Sequence, residues 1–124
     1  MESKRQRQVS EVVKRNFSLV LQSEGNYIYG NEPMVTVTSV KVSPDMSMAK
    51  IYLSVYNVED KQSVILQLEH SNQRLRQALA NRVKRHMRRV PTISFFQDET
   101  LDEMYRLNEL FHNLDGKEKK EEEE

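Results

Sequence analysis

Apolar residues recur along this chain with two alternating periods, and the switches between them predict its elements. Val9, Val12, Val13, Phe17, Val20 and Leu21 fall three and four apart, which predicts an amphipathic helix over residues 3–23. Residues 24–33 contain Gly25, Asn26, Gly30, Asn31 and Pro33 and read as a loop. Within it, Tyr27, Ile28 and Tyr29 are read as a plug onto the core, with an exposed stacking surface as the alternative. Residues 34–42 are rich in β-branched side chains and predict a strand. Its apolar phase changes between Val37 and Val40, which implies a bulge near Ser39. After a turn at Ser43-Pro44-Asp45-Met46, residues 49–56 alternate strictly, with Ile51, Leu53 and Val55 on one side. The two strands make an antiparallel hairpin.

The period then returns to that of a helix, capped by Asn57 or Asp60. Val64, Ile65 and Leu68 begin its apolar stripe, and Leu75, Leu79, Val83 and Met87 extend it at steps of four. Between them Ser71, Asn72 and Gln73 interrupt the pattern with poor helix formers, which predicts a kink between two helices. His86 falls among the apolar positions and reads as a packed histidine. Val90-Pro91 ends the helix, because proline disfavours the helical region in the residue before it. Residues 92–96 predict a third strand. Residues 98–114 predict a last helix, opened by a Thr100–Glu103 capping box and buried along Leu101, Met104, Leu107, Phe111 and Leu114. The fold class is therefore α+β: a three-stranded sheet with helices on one face, in a single domain over residues 1–114. Residues 115–124 are almost all charged and are expected to be a disordered acidic tail.

Composition changes this picture in one respect. The chain has 19 basic and 19 acidic residues and is formally neutral, but the charge is segregated. Residues 70–97 hold seven Lys/Arg and no Asp or Glu, whereas residues 98–124 hold eleven acidic and four basic side chains. A carboxylate-free basic stretch fits a polyanion, since Lys/Arg neutralisation of phosphate supplies most non-specific nucleic-acid affinity. On a helical wheel Arg74, Lys84, Arg85 and Arg88 lie opposite the apolar stripe, and Arg76, Arg82 and Arg89 nearer its flanks. These seven are the candidate RNA phosphate contacts. Lys4, Arg5 and Arg7 read either as a second contact arm or as a solubilising terminus. Tyr52 and Tyr56 invite a base-stacking reading, but no ribonucleoprotein-type aromatic consensus surrounds them.

Other chemistries find little footing. There is no cysteine, which excludes disulfides and thiolate zinc sites. The histidines at 70, 86 and 112 form no helical pair, and no phosphate-loop, dinucleotide or zinc pattern occurs. Asp98, Glu99, Asp102 and Glu103 are explained by capping and helix-dipole roles, so no metal or cofactor is expected. No signal peptide or membrane span is apparent, which predicts a soluble, cytoplasmic protein with no membrane partner and no small-molecule substrate.

Three stretches together resemble the ribosome-binding factor A family. They are Val35 to Val55, Arg74 to Val83 and Val90 to Asp102, and the likeness runs in order over residues 5–114. The resemblance implies a type II KH-like domain: helix, strand, strand, helix, kink, helix, strand, plus the C-terminal helix. It also implies a bacterial, non-catalytic assembly factor that binds the small (30S) ribosomal subunit as a monomer. Such a factor would assist late maturation and 5′ processing of 16S rRNA, and its activity would be linked to growth in the cold. The alternatives are a protein-interaction adaptor of the ribosome and an RNA-processing enzyme. Two places depart from the family's usual pattern. Ser71-Asn72-Gln73 stands where it shows a small-x-glycine kink, and residues 25–33 replace its Asp-Pro-Arg loop. A Gly-x-x-Gly clamp is also absent, which favours recognition of RNA shape and backbone charge over base sequence.

Overall fold

The structure is a computed structural model that describes residues 2–98. The helix expected over 98–114 and the tail expected over 115–124 lie outside the described residues, apart from Asp98.

Helix α1 (Lys4–Tyr29) opens on a reciprocal cap. The Gln6 N–H donates to Ser3 Oγ at 3.1 Å, and the Ser3 N–H donates to Gln6 Oε1 at 2.7 Å. Two backbone donors that a helix start leaves unpaired are thereby satisfied. The helix runs six residues past Ser23, so the loop expected from residue 24 is a correction. Gly25 is buried within the helix, and a Cβ there would collide with the Tyr29 ring that folds back over it. Glycine here gives room for a side chain one turn on, and packing overrides its poor helix propensity. The helix ends at Gly30, whose φ of 85° suits glycine. Ile28 and Tyr29 pack against the core, as a plug would, but Tyr27 is 81 % exposed.

Strands β1 (Met34–Val42) and β2 (Met48–Tyr56) pair antiparallel. Their register shifts between Val37 and Ser39, where the apolar phase changes. In the turn, Asp45 Oδ1 accepts from Ser43 Oγ at 2.7 Å, Ser47 Oγ at 2.8 Å and the Ser47 N–H at 3.2 Å. Helix α2 (Lys61–His70) is capped by Asp60, which accepts from the Ser63 N–H at 3.1 Å. Helix α3 (Asn72–Val83) follows after Ser71 alone. β3 (Thr92–Gln97) lies parallel to β2, giving the order β1-β2-β3.

All three described helices share one core with one face of the sheet. Val13, Phe17 and Val20 of α1, Leu68 of α2, and Leu75, Leu79 and Val83 of α3 meet Ile51, Leu53, Val55 and Phe95 there. Phe17 and Phe95 contact with ring centroids 5.5 Å apart. The Gln6 side chain is buried too and donates to the Val42 carbonyl at 3.0 Å, tying the start of α1 to the end of β1. This places the start of α1, the hairpin turn and the loop entering β3 at one end of the molecule.

Candidate nucleic-acid interface

The helix predicted to continue to Met87 stops at Val83, which is the second correction. Lys84, Arg85 and His86 form a turn held by the Lys84 N–H on the Ala80 carbonyl at 3.0 Å and the His86 N–H on the Val83 carbonyl at 2.8 Å. Residues 84–91 must then reverse direction to bring Thr92 beside Met48, and a continued helix cannot make that reversal. Arg76 stabilises the return. Its Nη2 donates to the Val90 carbonyl at 3.0 Å and its Nε to the Pro91 carbonyl at 3.3 Å. His86 is consequently exposed and not packed, which corrects the reading from the helical stripe.

All seven cations of the basic stretch are exposed, but their surroundings divide them. Arg76 is held by the loop carbonyls. Arg74 pairs with Glu24 of α1 at 2.8 Å and lies 6.0 Å from the Tyr27 ring centroid. Arg82, Lys84, Arg85, Arg88 and Arg89 make no ion pair among the described residues and follow one another along the last turn of α3 and the turn and bend beyond it.

Arg5 joins this end from α1. A cleft of about 770 Å³ is lined by Arg5, Gln8, Asp45, His86, Arg88 and Arg89, together with Met46, Met87 and other apolar groups. Lys4 and Arg7 are exposed in the same first turns of α1 but do not line the cleft. The three belong to a capped helix, so they are not a separate arm. No acidic residue occupies the first turn of α1. Cations at a helix N-terminus oppose its dipole, commonly by a few tenths of a kcal/mol or more each. Lys4, Arg5 and Arg7 therefore contribute nothing favourable to their own helix through charge, which is consistent with a role outside it. Asp45 brings a single carboxylate to the cleft. Hydrogen bonds from the Ser43 and Ser47 hydroxyls and the Ser47 N–H hold its pKa below the usual value.

At the kink, Ser71 has φ −97° and ψ 15°, a conformation open to any residue. None of residues 71–73 has positive φ, so the break needs no glycine. The side chains beside the kink bind the free edge of β3. Asn72 Nδ2 donates to the Ile93 carbonyl at 2.9 Å, and Glu69 Oε1 accepts from the Phe95 N–H at 2.7 Å. Asn72 also donates to Glu69 Oε2 at 3.2 Å. These bonds satisfy edge-strand groups that would otherwise be open to pairing with another chain. Asn72 is thus engaged inside the fold, while Gln73 is exposed. Sequence reasoning identified the break but missed this latch; a carboxylate and an amide flanking the break were its only signal.

Among the described residues, no three His, Cys, Asp or Glu side chains come together as a metal-holding group. No described helix is long and apolar enough to cross a membrane.

Comparison with known proteins places this arrangement. The family model described as Ribosome-binding factor A matches residues 5–111. The chain belongs to the ribosome-binding factor A family. Ribosome-binding factor A of Cytophaga hutchinsonii is 29 % identical over 114 residues, covering 92 % of this chain and 85 % of that protein. The Alteromonas mediterranea protein is 34 % identical over 104 residues, covering 82 % and 77 %. The crystal structure of ribosome-binding factor A from Thermus thermophilus superposes with a TM-score of 0.61 at 26 % identity, covering 74 % of this chain and 94 % of that one. A Thermus thermophilus homology model of the factor, fitted into the cryo-EM map of a 30S–RbfA complex, gives a TM-score of 0.56 at 28 % identity, covering 70 % and 88 %. The α+β fold is thus the KH-like fold of ribosome-binding factor A, and the protein is a ribosome-binding factor.

Proposed function

We propose that this protein binds the small (30S) ribosomal subunit through 16S rRNA, using the cationic end of the molecule as the contact surface. The observation that carries the reading is that Arg82, Lys84, Arg85, Arg88 and Arg89 are exposed without a carboxylate partner among the described residues, with Arg88 and Arg89 sharing a cleft with Arg5. An arginine guanidinium left free of partners can meet two phosphate oxygens at once, matching them in geometry as well as charge. Arg74 and Arg76, also candidates, act chiefly within the fold, and Lys4 and Arg7 add long-range attraction.

The domain, residues 1–114, works without catalysis. It docks on the maturing subunit, holds one arrangement of 16S rRNA while late maturation and 5′ processing finish, and is then released. This is the activity of a cytoplasmic bacterial monomer with no cofactor, and the demand for it is greatest in the cold, when misfolded RNA is slow to rearrange. The complex of its Thermus thermophilus relative with 30S supports the subunit assignment. The test is sedimentation with free small subunits. Arg85→Glu/Arg88→Glu should abolish co-sedimentation at physiological salt while leaving the thermal midpoint in place. Wild-type binding should weaken steeply as salt rises. Undiminished binding by the double variant would remove this surface from consideration. Loss of wild-type co-sedimentation only when the RNA is left intact but ribosomal protein is stripped would favour the adaptor reading.

A further inference from the structure

The described helices cover the face of the sheet that bears Ala49, Ile51, Leu53 and Val55. On the opposite face two cross-strand rows lie side by side. Ser39, Tyr52 and Phe96 are partners in one row, and Lys41, Lys50 and Ser94 in the next. Tyr52 stacks on Phe96 with ring centroids 5.6 Å apart. Lys41 Nζ lies 5.6 Å from the Tyr52 centroid and Lys50 Nζ 5.9 Å from that of Phe96. Both lysines are exposed, and neither makes an ion pair among the described residues. Beyond Tyr52 the face closes: Ser54 is buried, and Thr38 Oγ1 donates to Asp98 Oδ2 at 2.6 Å. At the Lys50 end it stays open, with Phe96 41 % exposed.

A solvated sheet face ordinarily carries polar side chains, so an exposed ring between two unpaired cations is not explained by the fold. The chemistry of the patch selects among occupants. A second copy or another protein needs a broad apolar area, and here Lys41, Lys50, Ser94 and the exposed Thr92 surround the rings. A nucleotide needs less: one aromatic face for its base and one cation for its phosphate. The two rows are two residues apart along β2, about 7 Å, a gap that the sugar of one nucleotide bridges. Cation–π contacts at exposed sites are weak, so a base can take the ring face and leave the ammonium to the phosphate.

We propose that the Tyr52–Phe96 pair is a stacking platform for unpaired RNA bases, with Lys41 and Lys50 holding the adjoining phosphates. It is a second contact, distinct from the cationic end. The arginines there meet backbone charge, whether the RNA is paired or not. The platform takes only single-stranded segments, because paired bases do not offer their faces. Stacking accepts any base, in keeping with the absence of a Gly-x-x-Gly clamp. In the sequence Tyr52 stands near Tyr56, and only the parallel pairing of β3 brings Phe96 to it. The inference rests on the proposed function solely in taking RNA as the partner.

Two probes titrated into the full-length protein test it: a short oligouridylate, and an oligomer of the same length without bases. The oligouridylate should shift the amide and ring resonances of Tyr52 and Phe96, and the baseless oligomer should leave them in place. Equal shifts from both would reveal charge attraction without stacking and overturn the proposal. So would no shift from either, or shifts that follow protein dilution without RNA, which would make a second copy the occupant. Phe96→Leu keeps the apolar bulk and removes the ring; it should weaken oligouridylate binding about tenfold with the thermal midpoint unchanged. Unaltered affinity in that variant overturns the proposal equally. Resonances of Arg85 and Arg88 report the cationic end separately. Shifts at Tyr52 and Phe96 with none at Arg85 and Arg88 would keep the platform and remove the other surface; the reverse would remove the platform alone.

Discussion

Arg74 and Arg76 lie about two helical turns before Arg82, in the same carboxylate-free stretch, and in sequence nothing separates them as candidates. In the fold they part company. Arg76 donates to two loop carbonyls, and Arg74 is shared between Glu24 and Tyr27. Arg82 to Arg89 face solvent without an ion partner among the described residues. The first group is tied to partners within the fold, and the second has no such partner among the described residues. A local count of basic residues therefore overstates the charge available to a polyanion, because an arginine already hydrogen-bonded within the fold must exchange those bonds for phosphate.

The sharpest test of that division is the reversal of Arg85 and Arg88. Replacing two phosphate contacts by two repulsive charges should lower affinity for the small subunit by roughly a hundredfold or more, with the fold retained. Arg76→Ala should behave differently. Losing the bonds to Val90 and Pro91 should cost about 1 kcal/mol in urea unfolding and weaken binding only indirectly, through a loosened loop. If Arg76→Ala leaves stability intact and removes binding, the two groups have been assigned the wrong way round. Arg74→Ala should do less than either. Arg74 is exposed but Glu24 is half-buried, so the pair is only partly screened and a change of about 0.5 kcal/mol is expected, with affinity nearly unchanged.

The smallest expected effect concerns pH. The pKa of Asp45 is depressed by its serine hydrogen bonds, so the turn's stabilisation is present above the unfolded carboxylate value of about 3.9 and is lost as pH falls through the lower folded value. A carboxyl-resonance titration should find Asp45 below the ordinary range, and Ser43→Ala should move it back up.

Much of the framework was legible because it is written in short-range periodicity. The hairpin, the bulge beside Thr38 and the break at Ser71 each follow from where apolar residues change phase. The ends of helices were less legible. Gly25 reads as a turn until Tyr29 is seen folded over it, and Met87 keeps the helical spacing although the chain has already turned back at Lys84. In both cases a contact outside the local pattern decides the outcome. The resemblance carried by residues 35–55, 74–83 and 90–102 supplied the family before any geometry was known.

What the sequence determined by itself was the order of the elements, the segregation of charge and the carboxylate-free character of residues 70–97. Those properties depend only on neighbours along the chain. Tertiary structure alone decided which cations remain available, that Arg5 meets Arg88 and Arg89 across one cleft, and that Glu69 and Asn72 latch the edge of β3. A long, flexible side chain reaches partners that are distant in sequence, and only folding sets which of them lie within its reach.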